Sequence, residues 1–329
     1  DRMRQSTENI LVRWGWILKL LIAAVAFTFI YWQVVRREGL ATLVAVARDS
    51  WSEPHNRVLL SAVLLGMLIN WAIEAFKWKR VLRPLEQVSL LKALEAVFSG
   101  LSVSFFTPNR VGEYAGRVFH LVKADRPQAV LATILENVSQ LVITLFFGGF
   151  ALAYGVQDLI TTQSYLMSSF RILSVVGACF LVLAFIYSGV LQAMFVRLRF
   201  SGRWLRVTGI LERYTKAQMI ELLLLSALRY FIFTGQFFLL LHVFGAPLPY
   251  GVAMLRIALT YLAMSVIPSI ALTELGVRGA LAAWVFQPVT EQVSGVLLAT
   301  SALWVINLVL PALIGLLFVF DFKFVKKRT

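Results

Sequence analysis

Apolar residues run along this chain in blocks, and the polar ones gather between them. Six blocks are long enough to cross about 30 Å of hydrocarbon, which takes about 20 helical residues: 14–35, 58–76, 129–154, 165–190, 219–244 and 293–320. The first is too long for a signal-peptide core and no small-residue cleavage site follows it, so it reads as a retained span. Two further apolar stretches, 93–122 and 252–286, are interrupted by proline and by charge. Their leading arms would reach only about 21 Å and 24 Å as helix, short of the bilayer core. Each is expected to be a re-entrant helical hairpin, whose irregular backbone must be shielded by protein or line a watery cavity.

Charge orients these elements. Lys and Arg number 31 against 17 Asp and Glu, an excess that would suggest nucleic-acid binding in a soluble protein. Here the basic residues sit in short connections, where they act as orientation signals and anionic headgroup contacts. No nucleic-acid partner is therefore expected. The connection 197–216 and the C-terminal tail are strongly basic, as are Lys77, Lys79, Arg80, Arg83 and Lys92 after the second span and Arg2, Arg4 and Arg13 at the start. All are expected on the cytoplasmic side, both termini included, in a multi-pass protein of the cell inner (cytoplasmic) membrane. Connections 155–164 and 245–251 carry no Lys or Arg and should lie outside. Arg36, Arg37, Arg48 and Arg57 run against the rule, diluted by Glu38, Asp49 and Glu53.

With those sides, each hairpin follows two spans and precedes one, and the halves 10–155 and 160–320 have opposite orientation. The expected fold is an all-α integral membrane protein of one domain, with six full spans and two re-entrant hairpins arranged as an inverted repeat. Transporters of that plan hold substrate at the repeat interface, near the bilayer midplane. Composition agrees: 59% of residues are hydrophobic and 15% charged, which excludes an ordinary soluble domain.

The hairpin tips repeat a pattern. The first reads Pro108, Asn109, Arg110, then Glu113-x-x-x-Arg117; the second reads Pro268, then Glu274-x-x-x-Arg278. Pro108 and Pro268 break the helix, since proline lacks an amide proton and disfavours helical geometry before it. Asn109 and Thr273 are candidate caps for the helices that follow. Helix N-termini favour anions and arginine grips phosphate in two places at once. The substrate-binding candidates are thus Arg110, Glu113, Arg117, Glu274 and Arg278, with the glutamates orienting the arginines or accepting a proton. The competing account is an ordinary ion pair at i and i+4. Repetition beside a proline favours function, because intramembrane charges are costly and mark pathways and sites.

Secondary candidates are Asn109, Glu74, Glu136 with Asn137, Arg229 and Arg256, with Glu136 and Arg229 as candidate partners across the repeat interface. Glu74, beside Lys77 and Trp78, has an interfacial role as its alternative, and most tryptophans read as a belt at the span ends. Gly148 and Gly149 read as close-packing positions and Pro311 as a kink. Cys179, the only cysteine, precludes an intrachain disulfide and reads as a packing residue. His55, His120 and His242 lack zinc-site spacing and read as interfacial or capping. Neither a metal nor a cofactor is expected.

The run Thr107 to Arg117, Glu136 in the following span and Glu274-Leu-Gly-Val-Arg278 resemble the lysylphosphatidylglycerol synthase transmembrane-region family, the flippase-like domain also found in multiple peptide resistance factors. Family members commonly show Gly-Gly-x-Gly-x-Arg-Glu in the second motif; here the acid precedes the arginine. The resemblance implies handling of lipids or lipid-linked groups: aminoacyl-phospholipid flipping in the resistance factors, polyprenyl-linked glycan or hopanoid pathways elsewhere. With no soluble aminoacyl-transfer domain after the last span, the expectation is a stand-alone translocase, not an enzyme, for a phosphate-bearing headgroup such as a phospholipid or polyprenyl phosphate. Its partners would be anionic membrane lipids and an enzyme of a lipid or glycan pathway. A membrane-embedded transferase with Glu113 or Glu274 as general base, and a pathway scaffold, are the alternatives.

Overall fold

A computed structural model describes Arg48 and residues 52–104, 107, 111–156, 164–187, 210–267 and 271–319, without the side chains of 164–166 and 271–274. Among these residues the regular elements are helical throughout: α1 (Pro54–Leu82), α2 (Leu90–Ser104), α3 (Gly112–Val118), α4 (Arg126–Gly155), α5 (Ser164–Ile186), α6 (Lys216–Val243), α7 (Tyr250–Val266), α8 (Ala271–Phe286), α9 (Val293–Trp304) and α10 (Leu310–Val319). Five helices are long and apolar enough to cross a membrane: α1, α4, the Met167–Ile186 part of α5, α6, and α9 with α10 as one continuous span. They coincide with five of the expected blocks; the block 14–35 lies outside the described residues.

Helix starts follow local chemistry. Pro54 opens α1 in its first turn. The Asp125 carboxylate accepts from the Gln128 amide at the start of α4, and Thr215 and Gln218 cap α6 reciprocally. At the far end of α6, Gly245 adopts φ +72°, which costs glycine nothing, and the Ala246 amide reaches back to the Leu241 carbonyl at 2.8 Å. Pro311 follows a widened turn. It cannot donate to the Asn307 carbonyl, and a five-residue π-turn, Val305–Val309, separates α9 from α10.

One end of the bundle gathers the C-terminus of α1 with the N-termini of α2, α4 and α6. Tyr214, kept protonated by burial that pushes its hydroxyl well above the usual range, donates to the Val81 carbonyl. Arg80 pairs with Glu221 at 3.0 Å, and the Glu86 carboxylate accepts the amides of Lys123 and Ala124, each at 2.8 Å. Lys79, Arg83, Lys92, Arg126, Arg213 and Lys216 lie in the same segments. At the opposite end α6, α7, α8 and α9 meet: Phe286 lies tilted against Phe237, Phe238 meets Tyr250 edge to face, and a Cβ on Gly295 would lie 2.5 Å from the Phe244 carbonyl.

Close backbone contact joins the short helices to the spans, the packing mode available where lipid supplies no hydrophobic drive. On α4, Gly148 and Gly155 receive Leu262 and Leu255 of α7, while Gly149 faces Ala178 of α5. On α10, Gly315 sits against the Phe98 carbonyl of α2, and Ser102 donates to the Ala312 carbonyl at 2.6 Å. Outward faces carry Leu65, Leu68, Ile172, Leu173, Phe180 and Leu224, as lipid contact requires. Cys179 lies on that outer surface of α5, exposed, so it is not the packing residue its apolar neighbours suggest.

Candidate functional site

At the centre of the bundle four helices bring six charged side chains together. From α3, Arg117 is wholly buried and contacts three carboxylates: Glu74 of α1 at 2.6 Å, Glu136 of α4 at 2.8 Å, and Glu113 one turn back. From α6, Arg229 binds the second oxygen of Glu74 and donates to Asn70 at 3.0 Å. Lys77 lies 3.7 Å from Glu74 and 4.0 Å from Glu136. Three carboxylates thus face three cations, a formally neutral set. Charges this deep persist only when each is opposed and hydrogen-bonded.

Local sequence builds this arrangement. Asn70, Glu74 and Lys77 fall at helical spacing on one side of α1, and Glu136, Gln140 and Thr144 on one side of α4. Trp78, fully buried, donates to Thr133 at 3.0 Å and ties those two faces together. Ser139 and Ser226 meet at 2.8 Å between α4 and α6. Arg117 reaches the centre because α3 crosses α2 glycine on glycine. A Cβ on Gly116 would lie 2.6 Å from the Gly100 Cα, and one on Gly100 would lie 2.7 Å from the Arg117 Cγ.

Beside the charge cluster lies a cavity of about 330 Å³, lined by residues of α1, α4, α6, α7, α8 and the last span. Arg229 and Arg278 both line it, with Asn70, Gln140, Tyr261 and Asn307. Buried polar atoms in this wall lack a hydrogen-bond partner: the Trp71 indole nitrogen, the Tyr261 hydroxyl and the Asn307 Oδ1. Such atoms are costly to bury unpaired and are met by water or ligand in working sites. The chemistry on offer is two guanidinium groups for an anion, neutral hydrogen-bonding groups beside them, and the aromatic rings of Trp71, Tyr230 and Phe233 in the lining. Among the described residues no His, Cys, Asp and Glu group is arranged to hold a metal ion.

The family model for the lysylphosphatidylglycerol synthase TM region matches residues 16–320. The chain belongs to this family. Comparison with curated proteins finds no match. Membership agrees with the bundle of apolar helices, and the protein is a multi-pass membrane protein of a family tied by name to lipid metabolism.

Within this lysylphosphatidylglycerol synthase TM-region chain, the residues singled out from sequence fall in different places. Glu113, Arg117, Glu136 and Arg229 belong to the charge cluster, while Arg229 and Arg278 reach the cavity. Arg256 is buried in α7 outside both groups. Glu274 lies in α8 with its side chain outside the described residues, as Pro108, Asn109, Arg110 and Pro268 are entirely. Glu136 and Arg229 do not pair: Glu74 stands between Arg117 and Arg229 and takes one on each oxygen. Glu74 is therefore central, not interfacial, because α1 continues to Leu82 past the point where hydropathy falls. For the same reason Trp71 and Trp78 are internal and do not belong to a belt.

Proposed function

We propose that this chain is a lipid translocase, and that the phosphate of a lipid or lipid-linked headgroup sits between Arg229 and Arg278. The observation that carries this reading is the pair of arginines lining one cavity among membrane spans. Arginine forks suit phosphate, and the unpaired Trp71, Tyr261 and Asn307 atoms suit the neutral part of a polar headgroup. The second hairpin contributes Arg278 and the sixth helix Arg229, so the ligand lies between elements of the second half and α1 and α4 of the first.

Packing supports two hairpins entering from opposite faces as an inverted repeat. Glu86, at the end of α1, grips Lys123 and Ala124, so the segment holding α2 and α3 leaves and returns at the basic end. Tyr250 and Phe286, the outer ends of α7 and α8, both pack at the other end. Each short arm lies on the last span of the other half: α2 against α10, α7 against α4. Exchanging halves turns each contact into the other. The basic end is the cytoplasmic one on the positive-inside rule, in the inner membrane.

The test is transport in vesicles. Purified protein in liposomes of phosphatidylcholine with a trace of fluorescent phosphatidylglycerol should speed loss of label protection from membrane-impermeant dithionite, and extracted lipid should be unchanged in mass. A new lipid product without movement between leaflets would replace the translocase with a transferase.

A further inference from the structure

The charge cluster holds two atoms that its ion pairs leave unbonded. Lys77 Nζ is buried and has no hydrogen-bond partner, and Glu136 Oε1, 4.0 Å away across from it, has none either. A dry ammonium and a dry carboxylate oxygen both sustain desolvation without a hydrogen bond in return. Lys77 has Glu74 at 3.7 Å and Glu136 at 4.0 Å as counter-ions, both beyond hydrogen-bond reach. The charged groups around the pair are Glu74 from their own side on α1, Glu113 and Arg117 from α3 and Arg229 from α6, while α2 presents Gly100 and Ser99.

Those groups form one chain of contacts. Arg229, at the cavity, holds one oxygen of Glu74; the other holds Arg117; Arg117 holds Glu136 Oε2; and Lys77 faces Glu136 Oε1. The side chains are 0–4% exposed except Glu113 at 14% and Arg229 at 15%, so the cluster opens to its surroundings at two separate edges. A phosphate that engages Arg229 draws its charge away from Glu74. Three carboxylates then share two cations, and uptake of one proton restores neutrality.

We propose that Glu136, with Lys77 opposite it, is a proton-binding site, and that one proton from bulk water is bound there when an anionic headgroup engages Arg229. This rests on the cavity reading above and adds the coupling ion to it. Because coupling is reciprocal, protonation strengthens headgroup binding to the same degree that binding strengthens protonation. A proton gradient can then drive the headgroup.

The experiment uses the full chain in detergent, weakly buffered with a pH-indicator dye, and dihexanoyl phosphatidylglycerol as probe. Between the pH at which the free site loses its proton and the higher pH at which the probe-bound site does, about one proton should disappear from solution for each probe bound, and affinity should fall by up to about tenfold per pH unit. Glu136→Gln should bind the probe with no proton uptake and flat affinity across pH. Lys77→Met should still take up the proton, and at higher pH, since a neighbouring cation is gone. Thermal melting checks that each variant is folded; if Glu136→Gln is not, the wild-type proton count and pH slope decide. Probe binding with no proton uptake and constant affinity overturns the proton site and leaves the cavity reading standing. Failure of folded wild type to bind the probe overturns both.

Discussion

Two Glu-x-x-x-Arg segments, each after a proline, end in arginines that meet opposite surroundings. Arg117 is sealed among three carboxylates, and its helix is pressed onto α2 at Gly116. Arg278 lines the cavity, and at Gly276, beside it in the motif, a Cβ would meet open space. The same spacing serves as a strut in the first half and as a cavity-lining group in the second. Pairing at i and i+4 settles only the local helix; what a charge does depends on the helices brought against it.

The sharpest break in this comparison is Arg117→Ala. It leaves Glu74, Glu113 and Glu136 facing one another, and should cost about 3–5 kcal/mol, the usual cost of breaking a buried pair. The readout is the yield of monodisperse protein and its melting temperature. Arg278→Ala should instead melt near wild type while weakening phosphatidylglycerol binding about 10- to 100-fold, as loss of a charged hydrogen bond implies. Equal destabilisation by the two variants would erase the distinction. Gly116→Ala should cost about 1–3 kcal/mol, since a methyl there meets backbone rather than a pliable side chain. Least of all, Gly276→Ala should be neutral or gain up to about 1 kcal/mol from helix propensity. A loss there comparable to Gly116→Ala, seen in the same melting assay, would mean that the second motif is packed as tightly as the first.

Hydropathy made the spans α1, α4, α5, α6 and α9 with α10 legible, and letter repetition made the two motifs legible. Asn70, Glu74 and Lys77 were harder. Lys77, Lys79 and Arg80 make the second apolar block end near residue 76, yet α1 runs to Leu82 with Lys77 and Trp78 wholly buried. A charge neutralised by a partner 43 or 155 positions away is indistinguishable in sequence from one in water. The spacing of Asn70, Glu74 and Lys77 on one face of an apolar helix was the available signal. Asn307 could not be found that way: it lines the cavity from within the widened turn before Pro311, where regular helical spacing does not hold.

That turn divides one span between two neighbourhoods. On one side of Val305–Val309, α9 packs against α8 and α6; on the other, α10 packs against α2. The last span is thus a rod with a joint, its two lengths gripped by different short helices, α8 and α2, and its joint bordering the cavity through Asn307. Mechanically, the joint is where a twist of α8 can be absorbed before it reaches α2. One length of this rod is thereby free to differ in tilt from the other, which is pinned to α2 at Gly315.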